Sequence, residues 1–185
     1  CDARYRPYAL FAAFRIAERH PDRDFDILIC DAEPFEMPAG LAALGIRPFM
    51  LEVGNAFAGF STDDRRGTIA YHRLLLPSRL GASHDRILYL DADIHVQGGD
   101  FSRLLEVDLH GSPIAAVRDN PQWRTPGRMP KDFLALKLDH APYFNSGVMV
   151  MDTAAWREQD VDSRLVFHGT RHGRLLKRHD QTLLN

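Results

Sequence analysis

Asp91-Ala92-Asp93 stands directly after the apolar run Arg86–Leu90 (Arg-Ile-Leu-Tyr-Leu). Two carboxylates one residue apart repel each other, so they need a compensating cation or one must stay protonated. A run of this kind reads as a buried strand, and open α/β sheets bind their ligands at the carboxyl ends of strands. A hard divalent cation fits two such oxygen donors, with water and phosphate oxygens completing its shell. Ala92 is small and lets the backbone approach a ligand closely. The competing explanation is a plain turn, because Asp is common in turns.

An EF-hand loop is excluded, since His95 and Val96 stand where its later ligands and glycine would follow. A phosphatase of the haloacid dehalogenase type also sets Asp-x-Asp after a strand, but near the chain start and not at mid-chain. Asn145-Ser146-Gly147 reads as a turn into an apolar strand, because Asn and Gly tolerate positive φ. Asp180 before Gln181 has the character of a helix N-cap. Arg73 falls on a predicted helix. Its guanidinium suits planar bidentate contacts with ligand oxygens, with a surface salt bridge as the alternative. Arg171, Arg174, Lys177 and Arg178, with His172 and His179, form a basic stretch. Arg171, Arg174 and Arg178 share a helical face there, either solvated or steering an anion or an acidic membrane. His72, His84, His95 and His110 lack paired metal spacing.

The elements that must position these residues alternate. Helical spacing covers Tyr8–His20, with Pro21 as its stop, then Ala39–Leu44, Thr68–Leu80, Phe101–Leu105 and Arg164–Arg178. Strands are predicted over Asp26–Cys30, Arg47–Val53, Arg86–Leu90, Ile114–Val117 and Gly147–Met151, with Arg86–Leu90 the clearest buried one. Strands spaced by helices imply an α/β domain with a mostly parallel sheet. Arg118–Lys131, which holds Pro121, Trp123, Pro126 and Pro130, reads as a long loop. Phe11, Phe14 and Phe49 are expected in the core.

Composition sets the outer bounds. Of 185 residues, 45% are hydrophobic and 26% charged, and 23 Lys and Arg against 25 Asp and Glu leave a net charge of −2. Disorder is excluded, as is a nucleic-acid partner bound across the whole surface. No apolar run approaches the ~18 residues of a membrane span, and Cys1-Asp2-Ala3-Arg4-Tyr5 opens no secretory signal. Two cysteines, Cys1 and Cys30, make no disulfide framework, so a cytoplasmic setting is expected. The length suits one domain over residues 1–185.

Order then adds what single motifs lack. Asp2-Ala3-Arg4-Tyr5 is followed by Tyr71-His72-Arg73-Leu74-Leu75-Leu76-Pro77 and by Tyr89-Leu90-Asp91-Ala92-Asp93. Next come Tyr143-Phe144-Asn145-Ser146-Gly147-Val148-Met149-Val150-Met151-Asp152 and His179-Asp180-Gln181-Thr182-Leu183-Leu184-Asn185. This ordered set resembles glycosyltransferase family 8 over nearly the whole chain. These are retaining enzymes such as lipopolysaccharide galactosyl- and glucosyltransferases and glycogenin-like proteins. The resemblance implies an α/β fold of the GT-A (nucleotide-diphospho-sugar transferase) type, with a mostly parallel central sheet flanked by helices. It implies transfer of a hexose from a UDP-sugar to a glycan or glycolipid acceptor, with Mn²⁺ or Mg²⁺ as cofactor.

On this resemblance Asp91 and Asp93 are metal ligands, and Asp93 also reaches the ribose side. Asp2 and Tyr5 lie by the base and ribose. Arg73, Ala92, Asp119, Asn145, Ser146 and Gly147 line the donor. Asp180 and Gln181 are the catalytic pair, with Asp180 on sugar hydroxyls and Gln181 near the anomeric carbon, opposite the leaving group. Attack by Gln181 and a front-face route with the leaving phosphate as base both stand open. Arg4 replaces the Asn of galactosyltransferase relatives, which leaves the donor sugar open. Also implied are a first strand ahead of residue 1 and peripheral membrane contact. A C-terminal segment should supply a third metal ligand from a His-x-x-Gly-x-x-Lys pattern that His168-Gly169 and His172-Gly173 do not match. The alternatives are a catalytically silent nucleotide-sugar or glycan-binding relative and the phosphatase.

Overall fold

The computed structural model describes residues 1–62 and 68–185. Along the chain, α1 (Arg6–Arg19) leads to β1 (Ile27–Asp31), α2 (Ala39–Ala42) and β2 (Ile46–Met50). A 3₁₀ segment (Ile69–Leu75) then runs into α3 (Leu76–Leu80), β3 (Arg86–Leu90), α4 (Phe101–Leu105) and β4 (Ile114–Arg118). After α5 (Asn120–Arg124) and α6 (Lys131–Leu136) come β5 (Phe144–Asp152), α7 (Thr153–Glu158), α8 (Val161–His172), a 3₁₀ turn (Gly173–Leu175) and α9 (Asp180–Leu184). The chain divides into two compact units, one of Cys1–Val53 with Leu90–Asp108, the other of Gly54–Tyr89 with Leu109–Asn185.

In the first unit β1 and β2 pair in parallel, from Ile27 opposite Ile46 to Asp31 opposite Met50. Pro7 stands in the first turn of α1, where its missing N–H costs no hydrogen bond. The buried face of α1 is narrow: Ala12, Ala13, Ile16 and Ala17. Small side chains let the helix lie close to its neighbours. Phe11, expected in the core, is instead 55% exposed, because it falls on the opposite face. Phe14 and Phe49 are half-buried. Asp100 caps α4 by accepting the Arg103 N–H at 3.1 Å.

In the second unit the strand order is β3-β5-β4, with β4 and β5 antiparallel. The deepest strand is β5, where Met149 and Met151 are fully buried. β3, expected to be the most buried, is half-buried throughout because it flanks the sheet. Trp156 of α7 is fully buried, and its indole N–H is satisfied by Asp162 at 2.8 Å. α7 starts on Asp152, whose carboxylate accepts the Ala155 N–H at 2.8 Å. α8 approaches the 57–61 segment closely at Gly169, where an added Cβ would lie 2.2 Å from the Phe60 ring.

The expected loop at 118–131 contains α5, started by Pro121 behind the extended Asp119. The expected helix Thr68–Leu80 begins as 3₁₀ and becomes α only at Leu76. The expected helix Arg164–Arg178 ends at His172 and continues as a 3₁₀ turn.

Candidate active site

Asn145-Ser146-Gly147 lies inside β5 and not in a turn before it. The reason is a register break. Ala116 pairs with Met149 and Arg118 with Phe144, so two steps along β4 face five along β5. The extra residues must leave the regular ladder, which is how bulges re-aim side chains beside functional sites. Within the break the Gly147 N–H donates to Asn145 Oδ1 at 2.9 Å.

Around Ser146 the second unit gathers most of the sequence-predicted donor residues into one hydrogen-bonded chain. Arg73 Nη1 donates to the Ser146 carbonyl at 2.8 Å, and Arg73 Nε lies 3.2 Å from Asp180 Oδ2. Ser146 Oγ donates to the same carboxylate oxygen at 2.9 Å. The Gln181 carboxamide continues the chain. Its Oε1 accepts from Ser146 N and Asn145 Nδ2, both at 3.4 Å, and its Nε2 donates to Asp119 Oδ2 at 3.2 Å. Asp119 also accepts from Arg178 Nη1 at 2.9 Å.

This network is polar and sheltered. Asp119, Ser146, Asp180 and Gln181 are all buried. The Arg73 side chain is 12% exposed and that of Asp180 7%, so theirs is an interior ion pair and not the surface bridge weighed above. The guanidinium also stacks 4.6 Å from the Tyr89 ring centroid. Arg178 leaves the basic stretch altogether to pair with Asp119, so it shares no helical face with Arg171 and Arg174.

Asp180 and Gln181 open α9, but the N-cap position belongs to His179, with φ 49° and ψ −117°. That conformation suits glycine and strains any residue with a Cβ. The imidazole is buried, with Nδ1 3.3 Å from both the Tyr71 hydroxyl and the Ser61 carbonyl. One turn on, Thr182 Oγ1 donates to Asp132 Oδ2 at 2.7 Å, and the Tyr143 hydroxyl donates to the same oxygen at 3.0 Å. Burial, and after it the Asp132 carboxylate, push the Tyr143 phenol up to about 12, against the Thr182 contact and the nearby Arg178 charge. Asp132 has no sequence signal: it is one acid among many, and only the fold carries it to Tyr143.

The first unit holds the remaining predicted residues. Asp91 and Ala92 are half-buried and Asp93 exposed, in a turn closed by Ile94 N on the Asp91 carbonyl at 3.2 Å. Among the described residues no three His, Cys, Asp or Glu side chains converge as a metal cluster. The two carboxylates supply hard oxygen donors on one turn, and that set fits a divalent ion completed by water and phosphate oxygens. Asp2 Oδ1 accepts from the N–H groups of Arg4 at 2.9 Å and Tyr5 at 3.1 Å, and Oδ2 meets Arg4 Nη2 at 2.9 Å. Burial raises the Asp2 carboxyl, but the Arg4 guanidinium and those N–H groups together hold it below the usual carboxylate range. Arg4, the departure from the galactosyltransferase pattern, thus engages Asp2 through both its guanidinium and its backbone N–H. Tyr5 is 46% exposed, its ring 6.1 Å from that of Tyr8.

Among the described residues, no helix is long and apolar enough to cross a membrane. General stress protein A of Bacillus subtilis is 32% identical over 119 residues, 63% of this chain and 39% of that protein. Lipopolysaccharide 1,2-glucosyltransferase of Escherichia coli is 34% identical over 117 residues, 62% of this chain and 33% of that protein. The chain thus spans between a third and two fifths of the length of these relatives. The galactosyltransferase LgtC, solved with donor and acceptor sugar analogs, superimposes with a TM-score of 0.80 at 26% identity, over 100% of this chain and 67% of that one. The α/β fold is therefore of the GT-A type expected. A family model described as "Glycosyl transferase family 8" matches residues 1–185, and the chain belongs to that family.

Proposed function

We propose that this chain carries the catalytic machinery of a metal-dependent retaining hexosyltransferase. Its donor is a UDP-sugar and its acceptor a glycan or glycolipid. One observation carries the reading: Arg73, Ser146, Asp180, Gln181, Asn145 and Asp119 join in a single hydrogen-bonded chain. Family membership supports it and sets the phosphatase aside. The glucosyltransferase and galactosyltransferase relatives support a hexose, and the lipopolysaccharide enzyme supports a glycolipid acceptor.

The residues divide the work by chemistry. Asp180 has hydroxyl-binding capacity and is paired with Arg73. Asp119 offers a second carboxylate, steadied by Arg178. Carboxylates accept well from sugar hydroxyls. The Gln181 carboxamide already has its oxygen facing two donors and its nitrogen on Asp119, so it orients the sugar and stabilises an oxocarbenium-like state without attacking it. The sugar–phosphate bond then breaks while the acceptor oxygen bonds the anomeric carbon on the same face. The acceptor proton passes to the departing phosphate oxygen. Asp91 and Asp93 would hold the divalent ion, which would supply Lewis-acid neutralisation of the diphosphate's charge. Asp2 and Tyr5 serve the nucleoside, with Ala92 leaving room beside it. Exposed Arg171 and Arg174 offer a cationic face to an anionic membrane surface.

A thermal-shift panel of UDP, UDP-glucose, UDP-galactose, ADP and GDP, each with and without Mn²⁺, tests the reading. Ligand at 100 times its Kd adds ~2.7 kcal/mol of stability. Melting should rise for the uridine nucleotides, and further with Mn²⁺. No shift with any nucleotide contradicts the reading. A shift without UDP release from either sugar nucleotide identifies a silent relative.

A further inference from the structure

Asn185, the C-cap that follows α9, makes more hydrogen bonds than its position at a helix end requires. Its Oδ1 accepts the Phe144 N–H at 2.7 Å, and its Nδ2 donates to the Phe144 carbonyl at 3.1 Å. A carboxamide offers a coplanar donor and acceptor, the same pair a neighbouring strand residue would present. Asn185 therefore occupies the main chain of Phe144 as a one-residue strand would, at the residue where the β5 register break begins. Its Nδ2 also donates to the Gln181 carbonyl at 2.7 Å. One side chain thus ties the backbone of Gln181 to the backbone that leads directly into Asn145 and Ser146.

We propose that Asn185 is a positioning residue for Gln181. The contacts from Asn145 Nδ2 and Ser146 N to Gln181 Oε1 are long, both 3.4 Å, so they are too weak to set the carboxamide's place alone. The three bonds of Asn185 are shorter, and they fix the spacing between the strand and the helix turn that those contacts span. No other side chain serves. Asp has the shape but brings no donor, so it would set an oxygen against the carbonyls of Phe144 and Gln181. Gln is one methylene too long, and Ser is too short to reach both edges of Phe144. A misplacement of about 1 Å is enough to slow a reaction that depends on placement by roughly 100-fold.

The inference rests on the reading that Gln181 faces the reacting sugar, and a double-mutant cycle separates the two. Release of UDP from UDP-galactose and UDP-glucose with Mn²⁺ is measured for the wild type, Asn185→Ala, Gln181→Ala and the double variant, with melting temperatures alongside. Asn185→Ala should lower kcat about 10-fold or more while leaving the donor KM within about 2-fold, and in the Gln181→Ala background it should cost less than about 2-fold. Equal losses in both backgrounds, or an unchanged kcat for Asn185→Ala, overturn the proposal. If Gln181→Ala alone releases UDP at the wild-type rate, the reading of Gln181 falls instead. Should Asn185→Ala fail to fold, Asn185→Asp carries the same cycle, since it keeps the acceptor for Phe144 N–H and removes both donated bonds.

Discussion

Arg73 is the residue on which the candidate site leans most heavily. It pairs with Asp180, donates to the Ser146 carbonyl and stacks on Tyr89, so its removal strips three partners at once. Taking one member from a buried pair costs ~3 kcal/mol or more, because the other charge stays inside. Arg73→Ala should therefore lower the denaturant midpoint by an amount of that size. Arg73→Lys should recover only part, since an ammonium cannot meet two oxygens in a plane and stack as well. An unchanged midpoint in Arg73→Ala would deny the pair its structural weight. His179 shows the same economy in its backbone, where a φ of 49° is kept by a non-glycine residue directly before Asp180 and Gln181.

At the scale of elements, the site depends on two irregularities and one close approach. The register break in β5 turns Asn145 and Ser146 away from a regular ladder, and the short α9 delivers Asp180 and Gln181 to them. The close approach lies behind, where Gly169 of α8 meets Phe60. Gly to Ala inside a helix ordinarily stabilises by ~0.5–1 kcal/mol. Here a Cβ would meet an aromatic ring that itself packs on Tyr71 at 5.0 Å between centroids. Gly169→Ala should thus destabilise by ~1–3 kcal/mol, read as a lowered melting temperature, and a rise would refute the packing argument.

Sequence alone could carry some of this and not the rest. Arg73, Asp119, Asn145, Ser146, Asp180 and Gln181 were legible because their types suit sugar and phosphate oxygens and their order matches a family. The span of α4 was legible too, over Phe101–Leu105 as expected, whereas its Asp100 cap emerges only from the structure. What stayed hidden depends on distance in space. Nothing near Asp132 points to Tyr143, and Arg178 reads as one more cation in a basic run until the fold sets it on Asp119. Apolar runs also mislead at sheet edges, since Arg86–Leu90 looks buried by composition yet flanks β5. Asn145-Ser146-Gly147 reads as a turn by residue type, yet it lies within β5, in the stretch where the register against β4 breaks.

At the scale of the whole molecule the account rests on a divalent ion held at Asp91 and Asp93 being needed to part a sugar from a diphosphate. UDP release from UDP-galactose and UDP-glucose, followed with Mn²⁺, with excess EDTA, and for Asp91→Asn, addresses that most directly. Release should appear with Mn²⁺, vanish with EDTA and return on adding the metal back. It should fall by ~10²-fold or more in Asp91→Asn at unchanged far-ultraviolet circular dichroism. Release that ignores EDTA, or an Asp91→Asn variant as active as the wild type with the same Mn²⁺ dependence, would contradict it.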